Sequence, residues 1–319
     1  MISEFALDPA LVARWHDPKE WAFFREAFAD GTGRVVSACP KKWRKDVVRA
    51  FFNQFPSATD QSKQRRNLEA MLEKLCRRMV ERDSSHPECP TWLDKALAAH
   101  RERPFDGILS LEPDESLPAV MTPEMLFGEP PPAAWSIPPV AATPRTADAF
   151  AKAVAPLLTR CREAVFVDPW FDAKKTRFTE PLQAMLRELW GPARCVAAPT
   201  AQLVIAEGEG QKGRSADWLL GECKNRLPAI LPAGRSLQVT VIRQRPGGEK
   251  IHNRYILTLL AGLSFGTGLD VADPDESGQS DDLCRLSNDQ LAHRWGQYVS
   301  ARGSWFDVAA GPSVISSST

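Results

Sequence analysis

The chain has 319 residues, 43% hydrophobic and 25% charged, with 40 Lys plus Arg against 40 Asp plus Glu. That is the make-up of an ordinary globular protein with room for two domains, and its zero net charge confines any attraction to nucleic acid to a local patch. Seven scattered cysteines without a Cys-x-x-Cys pair speak for reduced thiols in a cytoplasm and against a zinc site or disulfide framework. No apolar run approaches the roughly 20 residues of a membrane span, and the opening MISEFALDPA lacks a signal-peptide pattern. No metal and no cofactor is expected.

Residues 1–110 read as a mostly helical domain. Asp17 followed by Pro18 and Glu20 is a helix start, Trp21, Phe24 and Phe28 share one face, and the turn at 30–33 ends the helix. A second helix opens at Pro40, with Trp43, Val47, Val48, Phe51 and Phe52 on its apolar side. A third is expected from about Asp60 to Glu81, burying Leu68, Met71, Leu72, Leu75, Met79 and Val80. Residues 34–82 hold thirteen Lys or Arg against five Asp or Glu, the one charge asymmetry in the chain. Two readings stay open. The helix faces are simply solvated and internally paired, or Lys41, Lys42, Arg44, Lys45, Arg65 and Arg66 meet an acidic partner, nucleic acid first.

Residues 111–145 carry nine prolines and are expected as a linker, extended or wrapped on a surface and anchored by Leu126, Phe127, Trp135 and Ile137. A second domain, 146–319, opens with a helix from Thr146, kinked at Pro156. The run Ala164–Asp168 then reads as a buried strand whose tip carries Asp168 before Pro169, followed by a helix across 178–190. Strands are expected at Arg194–Ala198 and Leu237–Ile242 with a helix at 216–231 between them. After these come a loop at Asp273–Asp282, a strand at Leu283–Leu286, a helix at Leu291–Val299, a closing segment at Trp305–Val308 and a frayed end from Ser316. Strands alternating with helices, then a hairpin, specify an α/β sandwich.

The chemistry concentrates in Glu249–Asp270. His252 and Arg254 lie two apart, so an extended backbone points both to one face. Arg254 offers a rigid fork of N–H donors to phosphate oxygens, and His252 can donate, accept or attack. A strand over Tyr255–Leu260 leads to a return strand from Gly262. Gly266 and Gly268 would let backbone N–H groups approach an anion, with Ser264 and Thr267 adding hydroxyls. Asp168 and Asp270 are the supporting carboxylates, Asp168 either at the same sheet edge as His252 or capping its own turn.

This stretch resembles the phospholipase D superfamily, whose signature is His-x-Lys, four residues and Asp, then a downstream Gly-Ser and Asn. Here Arg254 stands for the lysine and Leu259 for the aspartate, and no Gly-Ser-x-x-Asn follows. It is more similar to the divergent phospholipase D-like domain at the C-terminus of MIT-domain proteins and their bacterial relatives, through His252, Arg254, Gly266, Gly268, Leu269 and Asp270. The resemblance covers the last half of the chain and implies a phospholipase D-like sandwich, preceded by the helical domain. A single such half implies a homodimer. The bacterial relatives imply a place in a multi-protein conflict or anti-phage defence system, with other proteins of that system as partners.

Active members need two histidines across the phosphate. Of the five here, at 16, 86, 100, 252 and 293, only His252 has that context. The expected function is therefore a phosphate-recognising binding or adaptor protein contacting nucleic acid. The alternative is a metal-independent phosphodiesterase or nuclease, acting as a dimer through His252. A third reading makes His252 and Arg254 a structural cluster, with Arg254 paired to Asp270 or Asp168.

Overall fold

The computed structural model describes residues 2–29, 31–82, 86–114, 117–192, 194, 198–207, 214–273, 278–300 and 302–318. The chain divides into two compact units, Ile2–Pro138 and Pro139–Thr319, and each is α/β.

In the N-terminal unit, β1 (Ser3–Leu7) leads through α1 (Pro9–Arg14) and α2 (Pro18–Ala27) to β2 (Arg34–Ala38). Next come α3 (Trp43–Gln54), α4 (Lys63–Cys76), β3 (Val80–Glu81), α5 (Trp92–Glu102), β4 (Gly107–Leu109) and β5 (Val120–Met121). The strands form one all-parallel sheet in the order β3-β2-β1-β4-β5. The expected mostly helical domain is thus corrected: its helices are present but pack on a central sheet. Asp17 caps α2 by accepting the Lys19 N–H, and Trp43, Val47 and Phe51 are the buried stripe of α3. The third helix is shorter than expected, because Val80 and Glu81 leave it to pair with β2. Inside the sheet Glu4 is fully buried and is held by Arg82, Nε to Oε1 2.7 Å and Nη2 to Oε2 2.9 Å.

The expected linker belongs mostly to this unit. Val120 and Met121 join the sheet, while Leu126 and Trp135 are buried in the core with Phe5 and Phe24. The guanidinium of Arg34 lies 4.3 Å above the Trp135 ring. Phe127 is exposed, though its ring meets that of Phe23. Prolines here interrupt helices without detaching the segment, so the boundary falls between Pro138 and Pro139.

The C-terminal unit holds β6 (Val140–Pro144), α6 (Ala147–Leu158), β7 (Glu163–Val167), α7 (Thr176–Trp190), β8 (Thr200–Glu207), α8 (Ala216–Arg226) and β9 (Ser236–Gln244). The hairpin β10 (Arg254–Leu257) and β11 (Gly262–Phe265) follows, then β12 (Ser280–Arg285), α9 (Asn288–Trp295), α10 (Arg302–Trp305) and β13 (Phe306–Ser316). The eight-stranded sheet runs β13-β9-β8-β7-β10-β11-β12-β6. Strands β7, β8 and β9 are parallel neighbours and the other pairings are antiparallel. Thr146 caps α6, and Pro156 sits inside it.

Several boundaries differ from expectation. The strand expected at Arg194–Ala198 falls largely outside the described residues, and the strand found next is β8. Residues 274–277 of the expected acidic loop also lie outside them, but Ser280–Asp282 belong to β12 and Asp281 is buried. The expected frayed end is tied down: Ser317 N–H donates to the Arg235 carbonyl and Ser318 N–H to that of Pro228, both at 3.0 Å. Among the described residues no helix is long and apolar enough to cross a membrane.

Candidate anion-binding site

The carboxyl end of β7 organises the site. Residues 164–167 are all buried, and Pro169, without an N–H, stops the ladder one residue later. Asp168 is 1% exposed. Its N–H donates to the Val204 carbonyl at 3.0 Å, and its Oδ1 accepts the Trp170 N–H at 3.0 Å. The turn-capping role is therefore real, but it uses only one oxygen. Oδ2 is buried and makes no hydrogen bond of good geometry among the described residues, although the Leu269 N–H is close enough to favour the ionised carboxylate.

Strand β10 lies antiparallel against β7 with Tyr255 opposite Val167, which sets Arg254 beside Asp168. Burial pushes the Asp168 carboxyl up to about 7. The Trp170 N–H and the Arg254 charge pull it back only in part, and Asp270 raises it further. The raised pKa weakens the ionised form of Asp168 and with it the attraction to Arg254. Arg254 is half-buried, and its Nε has no hydrogen-bond partner among the described residues. His252 is exposed and precedes the first residue of β10, so strand alternation does not fix it on the face of Arg254 as expected. Among the described residues it makes no hydrogen bond or ion pair.

Asp270 does not pair with Arg254. Its Oδ2 accepts from Arg177 Nε at 2.9 Å and lies 3.3 Å from Arg145 Nη2, so it clamps the start of α7 and the end of β6 to the hairpin return. A Cβ on Gly268 would stand 2.0 Å from Asp270 Oδ1, which explains the glycine.

The turn expected to cradle phosphate is already filled by a carboxylate of the chain itself. Thr267 N–H donates to both oxygens of buried Asp281, each at 3.1 Å, and the Thr267 hydroxyl reaches Oδ1 at 3.4 Å. Gly266 leaves room for the same carboxylate, since a Cβ there would be 2.7 Å from Oδ1. Ser264 donates to the Cys284 carbonyl inside the ladder at 3.4 Å. As phosphate ligands, Ser264, Gly266, Thr267 and Gly268 are thus corrected to structural roles. The glycine-rich spacing gives no sign that the carboxylate of Asp281 occupies this turn.

Beyond Asp168 the loop brings residues that sequence reasoning passed over. Asp172 is buried, accepts the Lys174 N–H at 3.0 Å and pairs with Arg214 at 2.9 Å. Arg214 and Lys174 both approach the Trp218 ring, at 5.4 and 5.7 Å. His293 is no second catalytic histidine: its ring meets Trp305 edge-on at 5.1 Å and its Nε2 lies 3.7 Å from Glu249.

In the N-terminal unit the six basic residues separate. Glu69 binds both Arg44, at 2.7 Å, and Arg65, which also lies 3.7 Å from Asp60. These two are drawn into internal pairs, and the side chains of Lys41, Lys42, Arg44, Lys45 and Arg66 are exposed. Among the described residues no cluster of His, Cys, Asp or Glu is built to hold a metal.

No family model matches the chain, and no curated protein matches it. A solved structure described as TrmBL2, an archaeal chromatin protein with a novel mode of DNA binding, aligns over 84% of this chain and 70% of its own. The TM-score is 0.26 and the identity 7%, a likeness too remote to bear on fold or function.

Proposed function

We propose that the C-terminal unit is a phospholipase D-like half that recognises a phosphate group through His252 and Arg254 and binds it without turnover. The observation that carries this reading is the place of Arg254 at the end of β10 beside Asp168, a carboxyl so buried that it resists ionisation. An arginine facing a fully ionised aspartate would be neutralised inside the fold. Facing Asp168, it keeps charge for an external anion, with exposed His252 as a second donor.

Turnover is disfavoured by the surroundings of His252. A nucleophilic or proton-transferring histidine needs a partner that fixes its tautomer and orientation, and His252 has none among the described residues. The exposed lysines at the start of α3 supply a second, weaker contact to a nucleic-acid backbone.

The test uses a short 5′-phosphorylated oligonucleotide with EDTA present, read both for binding and for cleavage. Binding should weaken at least tenfold in Arg254→Gln, with the probe recovered intact. Cleavage abolished by His252→Ala would replace this reading with phosphodiester hydrolysis, and unchanged binding in Arg254→Gln would remove the site.

A further inference from the structure

A second site lies in the N-terminal unit, independent of the phosphate edge. In the order β3-β2-β1-β4-β5 the chain leaves β1 toward β2 and β3, then crosses back to lay β4 on the other side of β1. Open parallel sheets bind ligands outside the carboxyl ends of their strands, near such a reversal. A concavity of about 250 Å³ opens next to it, at the carboxyl ends of β1 and β2, a little under the roughly 300 Å³ from which ligand pockets start.

Its walls come from four places: the segment after β1 (Asp8), the segment after β2 (Pro40), α3 (Asp46, Arg49, Asn53) and the first turns of α5 (Trp92, Lys95). Asp46 and Arg49 form an ion pair with each other, which leaves Lys95 as the crevice cation without an ion pair among the described residues. Asp8 accepts N–H groups from Ala10 at 2.8 Å and Leu111 at 3.4 Å, joining the ends of β1 and β4. Burial raises its pKa against these two N–H bonds, and the carboxyl lines the crevice as a hydrogen-bond acceptor. The indole of Trp92 is fixed in orientation, because Nε1 donates to the Cys39 carbonyl at 3.1 Å. The wall thus combines a locked aromatic ring, groups that read a hydrogen-bonding edge (Asp8 and Asn53) and one ammonium.

We infer that this crevice binds a mononucleotide, its base against Trp92 and its phosphate at Lys95. A flat heterocycle with an exocyclic hydrogen-bonding edge and a small negative charge is the chemistry that satisfies all three kinds of group at this volume. The two carboxylates, Asp8 and Asp46, oppose a polyanion laid through the crevice.

The experiment is isothermal titration of the full chain with AMP, GMP, CMP and UMP, repeated on Lys95→Gln, Asn53→Ala and the double variant His252→Ala/Arg254→Gln. Asn53 is exposed and Lys95 half-exposed, so neither change threatens folding. At least one nucleotide should bind, about tenfold weaker in Lys95→Gln and several-fold weaker in Asn53→Ala, with the double variant unchanged. Adenosine should bind wild type and Lys95→Gln alike if AMP is the ligand taken. No binding of any of the four at millimolar concentration overturns the inference. So does binding that survives both crevice variants and is lost in the double variant, which would assign the nucleotide to the phosphate edge instead.

Discussion

Replacing Asp168 by Asn tests the electrostatics on which the phosphate edge depends. The Asp168 carboxyl titrates near its ordinary 3.8 in the unfolded chain and at about 7 in the fold. Between these values the folded protein binds the extra proton, so stability falls as pH rises across that window and is flat outside it. At about 1.36 kcal/mol per tenfold change in proton affinity, the full loss is about 4 kcal/mol, and the part between pH 5 and 9 is about 3 kcal/mol. Asparagine keeps an oxygen for the Trp170 N–H and cannot ionise. The stability of Asp168→Asn relative to wild type should therefore rise by about 3 kcal/mol between pH 5 and 9, read by urea unfolding at each pH. A gap that stays flat, or that turns in favour of wild type as pH rises, would show a fully ionised Asp168 stabilised by Arg254, and the reasoning would fail.

Gly268→Ala should destabilise the C-terminal unit by about 2–4 kcal/mol in thermal unfolding, because its Cβ would displace the Asp270 carboxylate from Arg177 and Arg145. Arg82→Met should cost the N-terminal unit about 3–5 kcal/mol by leaving Glu4 charged and buried without its partner, and urea unfolding measures it. Wild-type affinity for duplex DNA should fall by about 0.9 log units per log unit of salt for each phosphate neutralised. Lys41→Glu with Lys42→Glu should weaken that binding for every duplex sequence without altering far-UV circular dichroism, since both side chains are exposed ahead of Trp43. Equal affinities would return these lysines to plain solvation.

What the sequence disclosed depended on how local the cause was. Strands β7 and β9 were legible because their apolar residues run over four positions in β7 and alternate over Leu237–Ile242 in β9. The starts of α2 and α6 were legible because Asp17 and Thr146 cap their own helices. The N-terminal sheet was not legible. Its strands have two to five residues, too short for periodicity to separate from helix, and Glu4 reads as a surface residue until Arg82, 78 positions away, accounts for it. Proline content likewise hid β5, whose two residues are decided by their parallel pairing with β4. At the site, Asp168, His252 and Arg254 came from one short motif and one strand end. Asp281, Arg145 and Arg177 are fixed only by the folding of distant segments, and no local spacing announces that Asp281 will occupy the glycine turn.

The central claim is that Arg254 receives the phosphate. Titrating inorganic phosphate against ¹⁵N-labelled protein while following the arginine Nε–H signals tests this most directly, with the Arg254 signal assigned by its loss in Arg254→Lys. The Arg254 signal should move saturably at pH 6.5, and the movement should weaken at pH 8.5 in wild type but persist in Asp168→Asn. An Arg254 signal unmoved by phosphate at both values, while other arginines respond, would contradict it.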